Sequence, residues 1–294
     1  MSFYSGFVGI FGAPNVGKST LLNRITGAKL AIVSARPQTT RNRIMGILNG
    51  ENSQIVFVDT PGIHRPRTAL HKSMVESSYA AFNEVDILLL MIETQKAFDQ
   101  ESSNILRRMR DLKKPCLLVI NKIDIRPKEA LLPIIDHYRG KFPFEAFLPV
   151  SALNGEGIDA VVDELRSRLD KGPQFFPPDM ETDQSESFMV SEIIREKIYL
   201  RMKKELPYSS AVTVDTIGEA SERNLVSIKA RIHVETESQK KIFIGRRGEN
   251  IKEIGTSARK ELEQIFGSRI FLDLTVVVSR NWSRDSRILR NLGY

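Results

Sequence analysis

The first 170 residues alternate between short apolar runs and segments whose apolar residues recur at helical spacing. The helical spacing is clearest over 98–112 and 157–170, where apolar side chains return every three or four positions. Strands that alternate with helices predict an α/β domain with a mostly parallel sheet, because a parallel connection requires a crossover. The predicted strands lie at 7–11, 43–48, 54–59, 86–92, 115–121 and 146–151.

The second and third of these strands are joined only by the polar residues 49–52. This connection is too short for a crossover helix, so we expect an antiparallel hairpin at one edge of the sheet. The expected sheet therefore has six strands and is mostly parallel, with helices on both faces. In such sheets ligands bind at the carboxyl ends of the strands.

Residues from 188 onward follow another pattern, which predicts a smaller α+β domain. Its elements are, in chain order, a helix at 189–204, strands at 211–217 and 225–234, two helices that meet near 245–248, and a strand at 270–278. Between the two domains the prolines and the glycine of the connecting segment break every periodicity and predict an extended tether. We therefore expect a first domain at 1–170, a linker at 171–187 and a second domain at 188–294.

Of the 294 residues, 41% are hydrophobic and 27% are charged, as in globular proteins with room for two cores. No apolar run approaches the roughly 18 residues of a membrane-spanning helix, and the first residues show no secretory-signal pattern. Cys116 is the only cysteine, which excludes an intramolecular disulfide and predicts a buried thiol in a reducing compartment.

The net charge of the chain is +7, and residues 188–294 hold 20 Lys and Arg against 14 Asp and Glu, a net charge of +6. Most of the positive charge therefore lies in the second domain. This charge is compatible with an anionic partner there but does not identify one.

A phosphate-loop pattern, G-x-x-x-x-G-K-[ST], lies between the first predicted strand and a predicted helix. Its glycines let backbone N–H groups surround phosphates, and the helix N-terminus adds a favourable dipole. We expect Lys18 to reach the β- and γ-phosphates of a nucleotide and the Ser19 hydroxyl to ligate Mg²⁺. The nucleotide-binding residues predicted here are Gly12, Ala13, Pro14, Asn15, Val16, Gly17, Lys18, Ser19 and Thr20.

Three further motifs follow later strands. The first is Asp59-Thr60-Pro61-Gly62, in which Asp59 is suited to hold Mg²⁺, usually through water. The backbone amide of Gly62 is suited to face the γ-phosphate. In the second, Asn121-Lys122-Ile123-Asp124, the Asp124 carboxylate can accept hydrogen bonds from both N1–H and N2–H of guanine, a donor pair that adenine lacks. The predicted base is therefore guanine. The backbone of the third motif, Ser151-Ala152-Leu153, is placed to meet the guanine O6.

The glycine loop Gly245-Arg246-Arg247-Gly248 lies between two predicted helices and is followed by a strand. A Gly-x-x-Gly pattern alone has no predictive value, but this setting is typical of a KH domain, whose loop clamps a nucleic-acid backbone. The order α-β-β-α-α-β is that of the type II variant. The alternative is an ordinary solvated arginine pair. The predicted RNA-binding residues are Lys240, Lys241, Ile244, Gly245, Arg246, Arg247, Gly248 and Lys252.

Near the C-terminus, Trp282 stands among arginines at 280, 284, 287 and 290. Two interpretations remain open for this stretch. It either contacts RNA directly, with Trp282 as a stacking group, or its arginines form one solvated helix face.

The four motifs of the first domain occur in the order found in translation-factor-type GTPases, which the domain strongly resembles. With the second domain included, the whole chain resembles the Era-type family of bacterial GTPases, in the TrmE–Era-like group. The resemblance implies a Ras-like P-loop GTPase domain followed by a type II KH domain. Its most specific parts are Gln38-Thr39-Thr40-Arg41 and the residues 239–245 that lead to the basic loop.

The resemblance also implies catalytic roles. Residues 35–41 resemble the first switch, in which a threonine ligates Mg²⁺, with Thr40 our first choice and Thr39 the second. The catalytic residues implied are Lys18, Thr40, Gly62 and Asn15, and the hypothesis for Asn15 is that it binds K⁺ in place of an arginine finger. Ile63 occupies the position of the glutamine that orients water in Ras-like GTPases, so we expect slow intrinsic hydrolysis.

The function that the resemblance implies is GTP-dependent assembly of the small (30S) ribosomal subunit, through single-stranded 16S ribosomal RNA near its 3′ end. GTP or GDP and Mg²⁺ would be the cofactors. We expect a cytoplasmic monomer, for which any association with the inner face of the membrane would be peripheral. Two alternatives stay open: an RNA-binding module whose GTP is structural and slowly turned over, and a GTPase whose basic domain binds protein.

Overall fold

The computed structural model describes residues 2–34, 36–66, 68–219 and 224–294. Its backbone divides into two compact units, one formed by 1–67 with 71–183 and the other by 68–70 with 184–294. None of the helices in the described part of the chain combines the length and the apolar character that a bilayer span requires.

The first unit is built on one sheet, whose main strands are β1 (Tyr4–Gly12), β2 (Ile44–Gly50), β3 (Ser53–Asp59), β4 (Ile87–Glu93), β5 (Cys116–Asn121) and β6 (Ala146–Val150). They occur in the order β2-β3-β1-β4-β5-β6. All neighbours along this path are parallel except β2 and β3, which form the predicted antiparallel hairpin at the edge. A seventh strand that the pattern did not predict, β7 (Asp170–Lys171), pairs antiparallel to β1.

Every residue of β4 and β5 is buried, because a parallel sheet with helices on both faces hides both sides of its central strands. Cys116 belongs to β5, and burial raises the pKa of its thiol far above its ordinary value, as expected for an unreactive core residue. The helices are α1 (Lys18–Thr26), α2 (Ala69–Glu84), α3 (Gln100–Met109), α4 (Leu131–Arg139) and α5 (Ile158–Arg166).

The segment predicted as a tether is bound to the first unit as far as 183. The buried Gln54 side chain accepts hydrogen bonds from the backbone N–H groups of Phe175 and Phe176 at 2.9 and 3.0 Å. The Thr182 hydroxyl donates to the carbonyl oxygen of Met45 on β2 at 2.6 Å. An extended segment makes no hydrogen bonds within its own backbone, and an edge strand has unpaired backbone N–H and C=O groups. The segment and the edge strand can therefore pair with each other.

The second unit is a sheet packed against helices. Its elements are α6 (Glu186–Arg201), β8 (Ser210–Glu219), β9 (Leu225–Val234), α7 (Glu237–Ile244), α8 (Glu249–Phe266), β10 (Arg269–Val278) and a helix that the pattern had not placed, α9 (Ser286–Asn291). The elements from α6 to β10 follow the predicted α-β-β-α-α-β order. The sheet has the order β10-β9-β8, in which β8 and β9 are antiparallel and β9 and β10 are parallel. The core lies between the sheet and the helices and includes Ile194, Ile232, Phe243 and Leu262.

The two interpretations of the C-terminal stretch are tested by Trp282 and by the arginines around it. Its side chain is fully buried, and its indole N–H donates to the carbonyl oxygen of Ser209 at 3.2 Å. A buried indole cannot stack on a base, so the interpretation of Trp282 as a stacking group is excluded. The arginines at 280, 284, 287 and 290 are exposed, but only Arg287 and Arg290 belong to a helix, so the four do not form one helix face.

Candidate nucleotide and nucleic-acid sites

A cavity of about 510 Å³ opens beside the phosphate loop and gathers residues from every predicted motif of the first unit. The predicted residues that line it are Pro14, Asn15, Gly17, Lys18, Ser19, Thr20, Thr39, Thr40, Gly62, Asn121, Lys122, Asp124 and Leu153. The other predicted residues of the site, which do not line the cavity, are Gly12, Ala13, Val16, Asp59, Ser151 and Ala152. Ala35, at the start of the predicted switch, lies outside the described residues.

Asn121 holds three of these motifs together. Its Nδ2 donates to the carbonyl oxygen of Val16 at 2.7 Å, and its Oδ1 accepts from the backbone N–H of Ala152 at 2.9 Å. Gly17 has a φ of 104°, and a Cβ atom there would lie 2.2 Å from Asn121 Nδ2. Glycine is therefore required at this position, and the amide of Asn121 fixes the walls of the cavity.

Lys18 is buried beneath the phosphate loop. Its ammonium group donates to the carbonyl oxygens of Gly12 and Ala13, both at 3.1 Å. Burial lowers the pKa of Lys18 to about 8, while the charge of Asp59 acts in the opposite direction. A buried ammonium group whose hydrogen bonds go to carbonyl oxygens is suited to bind an anion, because a phosphate is a much stronger acceptor for it.

Three oxygen-bearing side chains from distant parts of the sequence meet at Ser19. Its hydroxyl oxygen lies 2.7 Å from Oγ1 of Thr40 and donates to Oδ2 of Asp59 at 2.7 Å. The other carboxylate oxygen of Asp59 is buried and has no hydrogen-bond partner among the described residues. Burial raises the pKa of Asp59 to about 6, against the opposing charge of Lys18. Hydroxyl and carboxylate oxygens are the ligands that Mg²⁺ prefers, so this donor set fits the ion.

Thr39 is oriented differently from its neighbour Thr40. Its hydroxyl lies 2.8 Å from Oγ of Ser34 and donates to the carbonyl oxygen of Arg36 at 2.9 Å. The structure therefore brings Thr40, and not Thr39, to the Ser19 hydroxyl.

The switch after β3 is packed closely on the phosphate loop. A Cβ atom on Gly62 would lie 2.8 Å from Cα of Pro14, and the N–H of Ile63 donates to the carbonyl oxygen of Gly12 at 3.2 Å. The Ile63 side chain is 3% exposed, belongs to the hydrophobic core and does not line the nucleotide cavity. The Ile63 side chain therefore has neither the hydrogen-bonding groups nor the position needed to hold a water molecule in the nucleotide cavity.

Two supporting residues near the base-binding motifs had no signal in the sequence pattern. The buried carboxylate of Glu93 forms an ion pair with the Lys122 ammonium, because parallel pairing places Glu93 beside Asn121. Arg24 donates through Nε to the carbonyl oxygen of Ala152 at 3.3 Å. Gln38, from the predicted first switch, also lines the cavity. The sequence did not indicate the remaining lining residues, Ile32, Val33, Ser34 and Ile125.

In the second unit, the glycine loop presents its arginines to solvent. Arg246 and Arg247 are both exposed, and Gly245 has a φ of 78°. A Cβ atom on Gly248 would meet no atom within 4 Å, so the surface over the loop is open to a close approach. The other predicted residues also lie on or beside α7 and α8: Lys241 and Lys252 are exposed, and Lys240 and Ile244 are half-buried.

A groove of about 340 Å³ lies between α8 and β10. It has an apolar floor and a polar and basic rim. Of the predicted RNA-binding residues, Lys252 lines this groove. The other lining residues recur at helical spacing on α8 or at alternate positions on β10. These additional residues are Ile251, Gly255, Thr256, Arg259, Leu272 and Leu274.

Comparison with known proteins identifies the family of the chain. Residues 7–122 match a family model described as "50S ribosome-binding GTPase", and residues 205–283 match one described as "KH domain". The chain is 53% identical to the GTPase Era of Syntrophus aciditrophicus (strain SB), over 99% of this chain and 95% of that protein. The chain belongs to the Era family of GTPases. It is also 47% identical to the Era of Geobacter metallireducens, over 99% of this chain and 98% of that protein.

Solved Era structures match the fold over the whole chain. A variant of Aquifex aeolicus Era bound to GDP·AlF4⁻ has a TM-score of 0.96 and 39% identity, and covers 99% of both chains. Era in complex with MgGDPNP and nucleotides 1506–1542 of 16S ribosomal RNA has a TM-score of 0.97 and 40% identity, with the same coverage. The predicted Era-type family and the fold, a P-loop GTPase domain followed by a KH domain, are thereby confirmed.

Proposed function

We propose that this Era-family GTPase acts in the assembly of the small (30S) ribosomal subunit by binding single-stranded 16S ribosomal RNA near its 3′ end through the KH unit. The observation that carries the proposal is the full-length likeness to Era in complex with nucleotides 1506–1542 of that RNA. The exposed arginines of the glycine loop supply the matching chemistry on this chain.

The roles proposed at the nucleotide site follow from the geometry. The phosphates lie on the loop from Gly12 to Ser19, where Lys18 neutralises charge that develops on the β- and γ-phosphate oxygens. Thr40, Ser19 and Asp59 hold Mg²⁺, which when bound offsets the negative charge of the phosphates. The Gly62 N–H donates to the γ-phosphate.

Base selection rests on Asp124, whose carboxylate accepts both guanine N–H groups. Each good bidentate pair is worth about 1–3 kcal/mol of discrimination, and an adenine would leave the carboxylate without its donors. The backbone of residues 151–153 meets the guanine O6, and the Asn121 amide holds that backbone in place.

Asn15 is proposed as a K⁺ ligand that takes over the role of an arginine finger. It lines the nucleotide cavity next to Lys18 and has a positive φ of 65°. A fixed monovalent cation there would stabilise charge on the transferring phosphate. Equal GTP turnover in K⁺ and Na⁺ would exclude this role.

RNA binding is proposed to use the loop and the groove together. A KH loop clamps about four nucleotides, and Arg246 and Arg247 with the nearby Lys240, Lys241 and Lys252 provide the positive charge. Gly245 and Gly248 let the RNA backbone come close, and Ile244 supports the loop from α7. The groove between α8 and β10 offers an apolar floor for bases.

The nucleotide state is proposed to time docking on the RNA and release from it. Thr40 lies in the switch that leads directly into β2, and β2 is hydrogen-bonded to the segment 181–182 that leads out of the first unit. Ordering of the switch by the γ-phosphate therefore acts on the strand to which this segment is bound.

A cytoplasmic location follows from the proposed ribosomal partner, and the buried free thiol of Cys116 fits a reducing compartment. We propose that the protein acts as a monomer. Any association with the inner face of the membrane would be peripheral.

The deciding test is RNA binding by the double variant Arg246→Ala/Arg247→Ala. For the unchanged protein, contacts to about four phosphates give a slope of log K against log[salt] of roughly −3. The double variant should bind at least about tenfold more weakly and flatten the slope by roughly 1.4, which is the share of two phosphates.

A matched control is Arg287→Ala/Arg290→Ala, which removes the same charge from exposed positions on α9. This variant should keep the slope of the unchanged protein. If the loop variant keeps its RNA affinity, the basic unit serves a protein partner and the RNA proposal is wrong.

A further inference from the structure

The glycine loop of the KH unit is supported by side chains as well as by its own backbone. Helix α7 ends at Ile244 and α8 begins at Glu249, and between them Gly245 adopts a φ of 78° and a ψ of 176°. Within the loop, the Gly248 N–H donates to the carbonyl oxygen of Gly245 at 3.2 Å. Loop geometry must be fixed before binding, because ordering it afterwards reduces affinity.

Asn250, in the first turn of α8, provides one half of this support. Its Nδ2 donates to the carbonyl oxygen of Ile242 at 2.8 Å, in the last turn of α7. A Cβ atom on Gly245 would lie 2.9 Å from Asn250 Nδ2 and 3.0 Å from its backbone nitrogen. The asparagine therefore joins the two helices directly beneath the first glycine of the loop.

Arg201, at the end of α6, provides the other half. Its Nε and Nη2 both donate to Oδ1 of Asn250, at 3.1 and 2.9 Å. Since the amide oxygen is engaged by the guanidinium, the NH₂ group must point to Ile242. The remaining nitrogen, Nη1, lies 2.9 Å from a carboxylate oxygen of Glu253. The Arg201 guanidinium is thus bound by side chains from the first turns of α8.

We propose that Arg201 and Asn250 are positioning residues for RNA binding: they hold the backbone of residues 245–248 in its binding conformation without contacting the RNA. The inference rests on the proposed RNA binding by the KH unit. It assigns a role in that binding to two residues that lie outside the basic loop.

The test compares Asn250→Ala, Arg201→Met and the double variant of the full chain, with a single-stranded RNA of the 16S 3′ sequence as the probe. Each single variant should weaken RNA binding about tenfold, and the double variant should be no weaker than either, because both changes remove one shared contact. The slope of log K against log[salt] should stay unchanged in all three. Basal GTP turnover should not change.

Glu253→Gln is the matched control, because it removes the negative charge of one carboxylate that pairs with Arg201 and leaves the contact with Asn250 in place. This variant should bind RNA like the unchanged protein. Faster amide hydrogen exchange at 245–248 in Asn250→Ala, at an unchanged unfolding midpoint, would further support a positioning role. If Asn250→Ala does not fold, Arg201→Met is judged by the same criteria.

Two results would overturn the inference. Full RNA affinity in Asn250→Ala would show that the loop needs no such support. A slope reduced by about 0.7 in Arg201→Met would instead identify Arg201 as a direct phosphate contact. If Arg246→Ala/Arg247→Ala also keeps full affinity, the proposed RNA binding itself fails, which separates the two failures.

Discussion

At Ser19, side chains that are far apart in the sequence meet around one hydroxyl group. Thr40 comes from the switch before β2 and Asp59 from the end of β3, and both lie 2.7 Å from the Ser19 oxygen. In the described part of the chain, one buried oxygen of Asp59 has no hydrogen-bond partner, and burial has removed the water that would otherwise hydrate it. A divalent cation or its water ligands would replace that lost hydration.

At this scale we predict different outcomes for two neighbouring substitutions. Thr40→Ala removes a hydroxyl that meets Ser19, so GTP turnover should fall about 10- to 100-fold and require more Mg²⁺. Thr39→Ala removes a hydrogen bond to Arg36 and should cause a smaller loss. The measurement is turnover as a function of Mg²⁺ concentration.

The conservative variant Thr40→Ser keeps the hydroxyl and should retain most of the activity, which separates ligation from packing. If Thr39→Ala were as damaging as Thr40→Ala, the assignment of Thr40 to the metal would be wrong.

At the scale of elements, the sheet of the second unit contains a buried histidine between two strands and the C-terminal segment. His233 on β9 lies within hydrogen-bond distance of Oγ1 of Thr213, at 2.8 Å, and of Oγ of Ser279, at 2.9 Å. Burial lowers the pKa of His233, the charge of Arg231 lowers it further, and Asp215 acts in the opposite direction. The folded sheet therefore favours the neutral imidazole.

This preference predicts an acid-sensitive second unit. The unfolded chain binds the proton at an ordinary histidine pKa of about 6.5, above the folded value, so stability is complete above that pH and falls as the pH decreases below it. Trp282 is the single tryptophan and is buried in this unit, so its fluorescence reports the unfolding of this unit in the full chain. The midpoint should be lower at pH 5.5 than at pH 7.5.

In His233→Gln, the same comparison should show a smaller difference, because the titrating group is gone. An equal pH dependence in both proteins would place the acid sensitivity elsewhere in the unit.

Elements with strong periodicity could be predicted from the sequence, and contacts over long separations could not. Strand β9 begins and ends where the apolar pattern predicts, and the motifs at strand ends converge because parallel strands share one edge. Gln54, by contrast, binds residues 121 and 122 positions away, and nothing local indicates that partnership. Trp282 was ambiguous because an aromatic residue among arginines has the same pattern whether it is buried or exposed.

The same limit applies to the sites. Glycine loops and acidic motifs are recognisable because phosphate and base chemistry require particular residue types at fixed spacing. The supporting residues are ordinary in type: Glu93, Arg24, Arg201 and Asn250 acquire their roles only from the fold.

At the scale of the whole molecule, two chemistries occupy two compact units. The first unit gathers the guanine-nucleotide motifs around one cavity, and residues 188–294 of the second carry +6 of the net charge of +7, with a basic loop exposed to solvent. Alone, the first unit would be only a nucleotide site, and the second would be only a nucleic-acid site. The proposed function requires that each affects the other.

The measurement that tests this claim most directly is GTP turnover by the full chain, with and without single-stranded RNA of the 16S 3′ sequence, in K⁺ and in Na⁺. We predict slow turnover without RNA, stimulation by RNA that is lost in Arg246→Ala/Arg247→Ala, and faster turnover in K⁺ than in Na⁺. Equally slow turnover with and without RNA, despite tight GTP binding, would contradict the account and leave the nucleotide with a structural role.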